Sequence, residues 1–457
     1  MRRWLAAAVL VWSWACGSAF AEPAPPRRVI LMIADGAGFN AFTAVSMFEG
    51  RVGKQVYDGP GWVRLAATTY PLRFETQPGN TGLQDERLVY NPAKAWDATP
   101  VDTVSNGFPD RFHGYAWAKN TWTDSAAAAT LMATGVRTYN FAINIDDFGK
   151  PLKSIVAIAD EQGLSTGVVT SVDWSHATPA ALGGAHAGNR AEMALIANQL
   201  LSGELDVVMG AGHPEYDVDG RPATQPAPAD YTEVGGEATW RLLKSGEHPG
   251  GWMLIDTRER FARLSTGATP KRVLGVAPVR HTLQYQRTTD APVATVPDLP
   301  TMTLGALNVL DDNPRGFYLM VEGGAVDWAL HYNNAPRLIE EMGGFLRAVE
   351  AVVNWIEANG GWDHTLLIIT ADHDHYYWGT GSDVTPFAPL QDRGKGNVPD
   401  IVWHSNTHGN QLVPVYARGL NAEMLRKRAT RSDPVYGPYL DLGDVFHVTK
   451  ATINEKR

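Results

Sequence analysis

The stretch Val29-Ile30-Leu31-Met32-Ile33-Ala34-Asp35-Gly36 decides the fold. It is an unbroken apolar run that stops at Asp-Gly. A strand with one wet face alternates polar and apolar residues. A continuous run instead marks a strand buried on both faces, as in a parallel sheet covered by helices. Residues 167–172, 317–321 and 365–370 are further strong strands, 206–210 is a short one, and 411–417 is a final one. Between them, residues 152–161, 189–201, 301–310 and 338–356 carry helical spacing. This order predicts an α/β fold with a mostly parallel central sheet flanked by helices on both faces.

The strongest strands run into acids. Asp35 follows the first, Glu322 ends the run at 317–321, and Asp372-His373 follows the run at 365–370. Open α/β sheets bind ligands at the carboxyl ends of their strands, so the three carboxylates meet at one edge. Asp327 and His331 are four residues apart, which puts them on one helical face and suits a single metal ion. His373 and His408 supply further nitrogen. Carboxylate plus imidazole without thiolate suits zinc, and carboxylate plus hydroxyl suits magnesium. Each residue alone reads as a cap or a satisfied core group; the joint pattern does not.

The second decisive stretch is Thr123-Asp124-Ser125-Ala126-Ala127-Ala128-Ala129-Thr130-Leu131-Met132-Ala133-Thr134-Gly135. Helix-start residues precede an alanine-rich run that stops at glycine. Ser125 therefore sits beside unpaired N–H groups and the positive end of a helix dipole, which favours an alkoxide and attracts phosphate. The plain alternative is a serine that only caps. With Arg190 and the strand-end set, phosphoryl transfer is the matching chemistry.

Residues 1–21 read as a secretory signal. Arg2-Arg3 is the basic start, Leu5 to Trp14 is the apolar core, and Ala19-Phe20-Ala21 is the cleavage site. The Arg pair also fits a twin-arginine address, and Cys16 a lipid attachment, each with poor flanking support. Cys16 is the one cysteine and lies in the leader, so the mature chain has no disulfide. Losing Arg2 and Arg3 with the leader takes the formal charge from −10 to −12. An acidic surface argues against a nucleic-acid partner, and the apolar leader run is too short for a membrane span. The rest, 22–457, reads as a single catalytic domain. Its Gly/Pro-rich segments at 213–300 and 376–403 read as insertions, and the tail from Leu420 as polar with a short terminal helix.

Thr123-Asp124-Ser125-Ala126-Ala127 with Thr134-Gly135-Val136 resembles the nucleophile motif of alkaline phosphatases. Val321-Glu322-Gly323 with Asp327 and His331 resembles that family's metal-binding block, and Thr370-Ala371-Asp372-His373 and His408-Gly409 complete the series in order. The resemblance runs from about Val29 to Gly419. It implies two zinc ions and a third metal, normally magnesium. Asp327, His331 and His408 would hold the first zinc; Asp35, Asp372 and His373 the second; Asp35, Thr178 and Glu322 the third ion. Arg190 would clamp phosphate, oriented by Asp124, and Ser125 would form a phosphoserine that water then hydrolyses. His176 stands where many members carry Asp beside the third metal, and Trp328 where many carry Lys or His. An imidazole at 176 shifts the third site toward zinc or cobalt.

The implied activity is hydrolysis of small phosphate monoesters, in a periplasmic or secreted protein. The resemblance also implies a homodimer, although the sequence carries no interface signature. Three alternatives remain open: a phosphodiesterase of the same superfamily, a sulfatase, and a metal- or phosphate-binding protein without turnover. The sulfatase reading lacks the modified Cys or Ser motif, since the mature chain has no cysteine.

Overall fold

A computed structural model describes residues 26–99, 114–381 and 388–455. The proposed leader, with Cys16, lies outside them. Thirteen strands occur among the described residues: β1 Arg27–Ala34, β2 Val63–Thr68, β3 Ser165–Asp173, β4 Val207–Ala211, β5 Met253–Ile255, β6 Val273–Val276, β7 Gly316–Gly323, β8 Thr365–Thr370, β9 Asp374–Trp378, β10 Val402–Gly409, β11 Val413–Gly419, β12 Arg431–Asp433 and β13 Gly437–Asp441. Eleven form one sheet in the order β12-β13-β2-β11-β8-β1-β7-β3-β4-β6-β5. β11 runs antiparallel to both its neighbours and β12 to β13; the remaining pairings are parallel.

Of the four strands at the centre, β8, β1, β7 and β3, the first three are continuous apolar runs of the sequence, and β7 and β8 are buried along their whole length. Helices cover both faces, which is why these strands need no polar side. Helices Leu299–Leu310 and Ala335–Ala358 pack on the central strands and on each other. The other layer comprises Ile155–Glu161, Ala177–Leu182 and Gly443–Ile453, with Ser125–Thr134 stacked on the last two. No helix among the described residues is long and apolar enough to cross a membrane.

Several expectations shift at their edges. The helix expected at 152–161 begins at Ile155, because the Ser154 hydroxyl accepts from Ala157 N at 3.2 Å and caps it. The one expected at 189–201 begins at Met193, because Asn189 and Glu192 side chains close a turn ahead of it. The segment 213–300 supplies β5 and β6, which extend the main sheet at one edge. Within 376–403 and its flanks, β9 and β10 form a separate antiparallel ribbon that pairs His408 with His375. The tail from Leu420 also contributes structure: β13 joins β2 in the sheet, and Gly443–Ile453 packs under the Ser125 helix.

Gly135 ends the Ser125 helix in a left-handed conformation, φ +74°, and a Cβ there would lie 2.5 Å from the Phe446 ring. Backbone strain and overpacking therefore coincide. Gly135→Ala is expected to destabilise the fold by about 2 kcal/mol or more, read as a lowered urea midpoint with an unchanged slope.

Candidate active site

Ser125 opens a helix whose first turn is organised by Asp124. The Asp124 carboxylate accepts Ala127 N and Phe141 N at 3.0 Å each through Oδ1, and Arg190 Nη1 at 3.1 Å through Oδ2. Its own N–H donates to Asn140 Oδ1 at 3.0 Å. One side chain thus caps the helix, pins the 140–141 turn and aims a guanidinium. Alanines at 126–129 are buried, so the helix approaches its neighbours closely. Ser125 Oγ lies 3.3 Å from His373 Nε2.

Phe141 has φ +76°. A bulky residue in this region costs on the order of 1–3 kcal/mol and persists only where its surroundings over-determine it. Here its N–H is held by Asp124 and its carbonyl accepts Arg190 N at 2.8 Å.

Three groups of possible metal ligands adjoin one another and share members. The first is Asp327, His331, His375 and His408; the second is Asp35, Asp327 and His373; the third is Asp35, His176 and Glu322. Asp372 joins the second through a 3.4 Å contact with His373 Nε2. In the first group, His331 Nδ1 lies 2.8 Å from the Asn406 carbonyl and His408 Nδ1 2.8 Å from the Thr123 carbonyl. A carbonyl only accepts, so both Nδ1 atoms carry the proton and a neutral ring turns the Nε2 lone pair inward. These two Nε2 atoms are 3.1 Å apart. Facing lone pairs repel unless a cation lies between them.

The carboxylates point the same way. Asp35 is fully buried, and among the described residues neither of its oxygens has a hydrogen-bond donor; Asp372 Oδ2 and Glu322 Oε1 also lack one. Gly36 N and His373 N both donate to Asp372 Oδ1, at 2.9 and 3.0 Å, which leaves none for Asp35. Burial, reinforced by Asp372, Asp327 and Glu322, raises the Asp35 pKa well above the ordinary carboxylate range. Burial pushes Asp372 up to about 6 and Glu322 up to about 7, the latter against the hydroxyls of Thr170 and Thr178. Asp327 differs: burial opposes its charge, but His331, His375 and His408 overcome that and hold it well below the usual range. Unmet acceptors and inward lone pairs form a donor set that fits divalent metals.

Every expected site residue falls in this region. Thr178 lies in the short helix that follows His176, and its buried hydroxyl faces Glu322. Arg190 Nη2 donates to His176 Nε2 at 3.0 Å. The sequence reading missed His375, whose Nε2 is 2.8 Å from Asp327 Oδ1. Its signal was the strand period, which puts His373 and His375 on one side. Another carboxylate–imidazole group, Asp173, Glu233 and His281, lies outside the site. His281 and Arg280 balance it at 3.2 and 3.4 Å, so its charge needs no ion.

A family model described as alkaline phosphatase matches residues 110–398. The chain belongs to the alkaline phosphatase family. It is similar to alkaline phosphatase 4 of Bacillus subtilis, 34% identical over 258 residues, which are 55% of this chain and 49% of that protein. The chain thus spans about half the length of the Bacillus alkaline phosphatases it matches, 49% and 51%. A streptomycin-6-phosphate phosphatase of Streptomyces griseus is 29% identical over 449 residues, 88% of each chain. Among solved structures, the alkaline phosphatase of the Antarctic bacterium TAB5 shares the fold with a TM-score of 0.61 at 22% identity, over 95% of this chain and 99% of that one. A His-to-Asp variant of that protein is described with magnesium bound in its M3 site.

This cluster of buried carboxylates and imidazoles gives the metal-free chain a definite response to pH. A carboxyl whose folded pKa is raised contributes stability below its ordinary value and loses it as pH rises through the folded value. For Glu322 that window runs from 4.5 to about 7, and Asp35 and Asp372 act in the same direction. His176 and His375, pushed down to about 3 by burial, act oppositely, but only below their ordinary 6.5. As pH rises from about 6.5 through 7, Glu322 and Asp35 set the slope, and His408, where the effect of burial is outweighed by Asp327 and the pKa is raised, acts with them. Melting of chelated protein is expected to fall across that range, and added zinc is expected to abolish the fall.

Proposed function

We propose that this chain hydrolyses phosphate monoesters to an alcohol and inorganic phosphate through a phosphoserine at Ser125. The observation that carries the reading is the pair of inward imidazole lone pairs, 3.1 Å apart, beside a helix-start serine and a guanidinium tied to its capping Asp. Asp327, His331 and His408 would hold one zinc and Asp35, Asp372 and His373 a second. Asp35, Glu322, Thr178 and His176 would hold the third ion, magnesium or, because of the imidazole, zinc or cobalt. Bound divalent cations supply positive charge at phosphorus and lower the pKa of hydroxyl and water.

The protein's own groups do the rest. Arg190, held by Asp124, takes two phosphate oxygens in its planar fork. Ser125 Oγ passes its proton to solvent and attacks phosphorus in line, the bond from phosphorus to the ester oxygen breaks, and that oxygen takes a proton from solvent and leaves as the alcohol. Water then attacks phosphoserine, releases phosphate and restores the serine hydroxyl. His375 holds Asp327 in place through its hydrogen bond. We read the chain as one catalytic domain over 22–457, exported by its leader to the periplasm or beyond and acting as a homodimer. The Streptomyces relative, named for a phosphorylated aminoglycoside, supports small-molecule esters as substrates.

The test compares an aryl phosphate with the matched bis-aryl phosphate, after chelation and after adding zinc alone or zinc with magnesium. Monoester preference restored by zinc is the expected outcome. Diester preference would move the chain to the phosphodiesterase branch, and bound zinc without turnover would leave a binding protein. Ser125→Ala is expected to lower kcat by about a thousandfold or more with metal content retained; near-full activity would overturn the nucleophile. His176→Asp is expected to increase the response to magnesium, measured as activity against added magnesium at fixed zinc; an unchanged response would count against His176 as a third-site ligand.

A further inference from the structure

The cavity over Ser125 is larger and more apolar than a phosphate requires. It has a volume of about 780 Å³, within the range of small-molecule sites. Its charged lining consists of Asp124, Arg190 and Asp327, all engaged at the floor, and of imidazoles. Among the described residues its lining contains no lysine and no second guanidinium to partner a leaving group bearing further negative charge.

The walls are aromatic and stand on two sides. On the His408 side is Trp122, edge-on to His408 at 5.4 Å and braced by Phe74 at 4.8 Å. On the His176 side is Trp328, 6.3 Å from His176. Trp328 and Tyr332 both contact Tyr285, at 6.4 and 6.3 Å. Tyr332 is 76% exposed at the cavity it lines. Trp122 and Trp328 are half-buried, so each turns part of its ring to the cavity beside the exposed Tyr332, an aromatic lining suited to recognition.

We propose that Trp122, Trp328 and Tyr332 form an aromatic subsite that takes a planar ring on the leaving group, as in benzylic, aryl or nucleoside monoesters. This rests on the monoesterase reading above and adds the substrate class. Phosphate binds at the floor with Arg190, and the ring enters between the two walls.

The test uses esters of near-equal size, benzyl phosphate and cyclohexylmethyl phosphate, which differ in planarity and π-face; benzyl alcohol is the stronger acid, so the change in ratio on substitution and the binding of non-reacting phosphonates decide. Ring stacking predicts a kcat/KM ratio of about three- to tenfold for benzyl. Trp122→Leu and Trp328→Leu are each expected to move the ratio toward one, and Trp328→Phe to keep it. Calorimetry of benzylphosphonate and cyclohexylmethylphosphonate on the metal-loaded wild-type protein reads the same preference without turnover. Tighter benzylphosphonate binding with no hydrolysis of any ester would sink the monoesterase reading and leave the subsite standing. Equal ratios in kinetics and binding would overturn the subsite. Adenosine 5′-monophosphate against ribose 5-phosphate separates the two sources of a ring. A preference there matching that for benzyl identifies nucleosides; a benzyl preference alone identifies short aryl-bearing esters.

Discussion

Asp35 is a fully buried carboxylate whose two oxygens meet no donor among the described residues, with Asp372, Asp327 and Glu322 around it. Burying one unpaired charge is costly, and burying several of one sign together is more so. The arrangement is not an accident of loose loops. β1 lies between β7 and β8, with Ile33 in register with both Glu322 and Thr370. Asp35 and Asp372 therefore emerge at the same level, and Glu322 reaches the site from within β7. The backbone fixes the carboxylates; only a cation or a proton can make them tolerable.

That constraint explains the layers around the sheet. A nucleophile has to stand over three strand ends, so its helix must come close. The alanine face of Ser125–Thr134 allows this, and the helices Ala177–Leu182 and Gly443–Ile453 close over it. Two of the imidazoles arrive on a separate ribbon, β9–β10, where His375 faces His408 across the pair. His331 and His408, whose lone pairs face each other, each have the other nitrogen fixed by a carbonyl, Asn406 or Thr123. Orientation is set from outside the site, which is the usual task of groups behind a metal ligand.

The parts legible in sequence were those with a local cause. β1, β7 and β8 announce themselves as continuous apolar runs, and the Ser125 helix by its capping Asp, its alanines and Gly135. What stayed hidden has non-local causes. β5, with three residues, and β6, with four, are strands only because a growing sheet edge receives them. β13 contains Gly437 and Pro438 and pairs with β2, hundreds of residues away. β10, Val-Trp-His-Ser-Asn-Thr-His-Gly, is polar because it serves the site, so no strand pattern survives. His375 has no motif of its own, and only strand alternation, which puts it on the side of His373, marks it in the sequence. The left-handed Phe141 has no local signature, because the backbone bonds that hold it come from Asp124 and Arg190.

His176 shows how one substitution changes the meaning of a site without changing its fold. A carboxylate there would bring a third negative charge to Asp35 and Glu322 and would neutralise Arg190. The imidazole does neither. Burial and the adjacent guanidinium push its pKa down to about 3, so it is neutral and has one lone pair. That lone pair accepts from Arg190 Nη2. A cation bound to either ring nitrogen of a neutral imidazole takes the same lone pair, since moving the proton moves the acceptor with it. The hydrogen bond to Arg190 and a third cation on His176 therefore exclude one another. Filling the third site frees an N–H of the guanidinium, and that guanidinium retains more of its charge than a carboxylate partner would leave it. The position that distinguishes this chain's third site thus bears on two functions at once, the choice of cation and the freedom of Arg190.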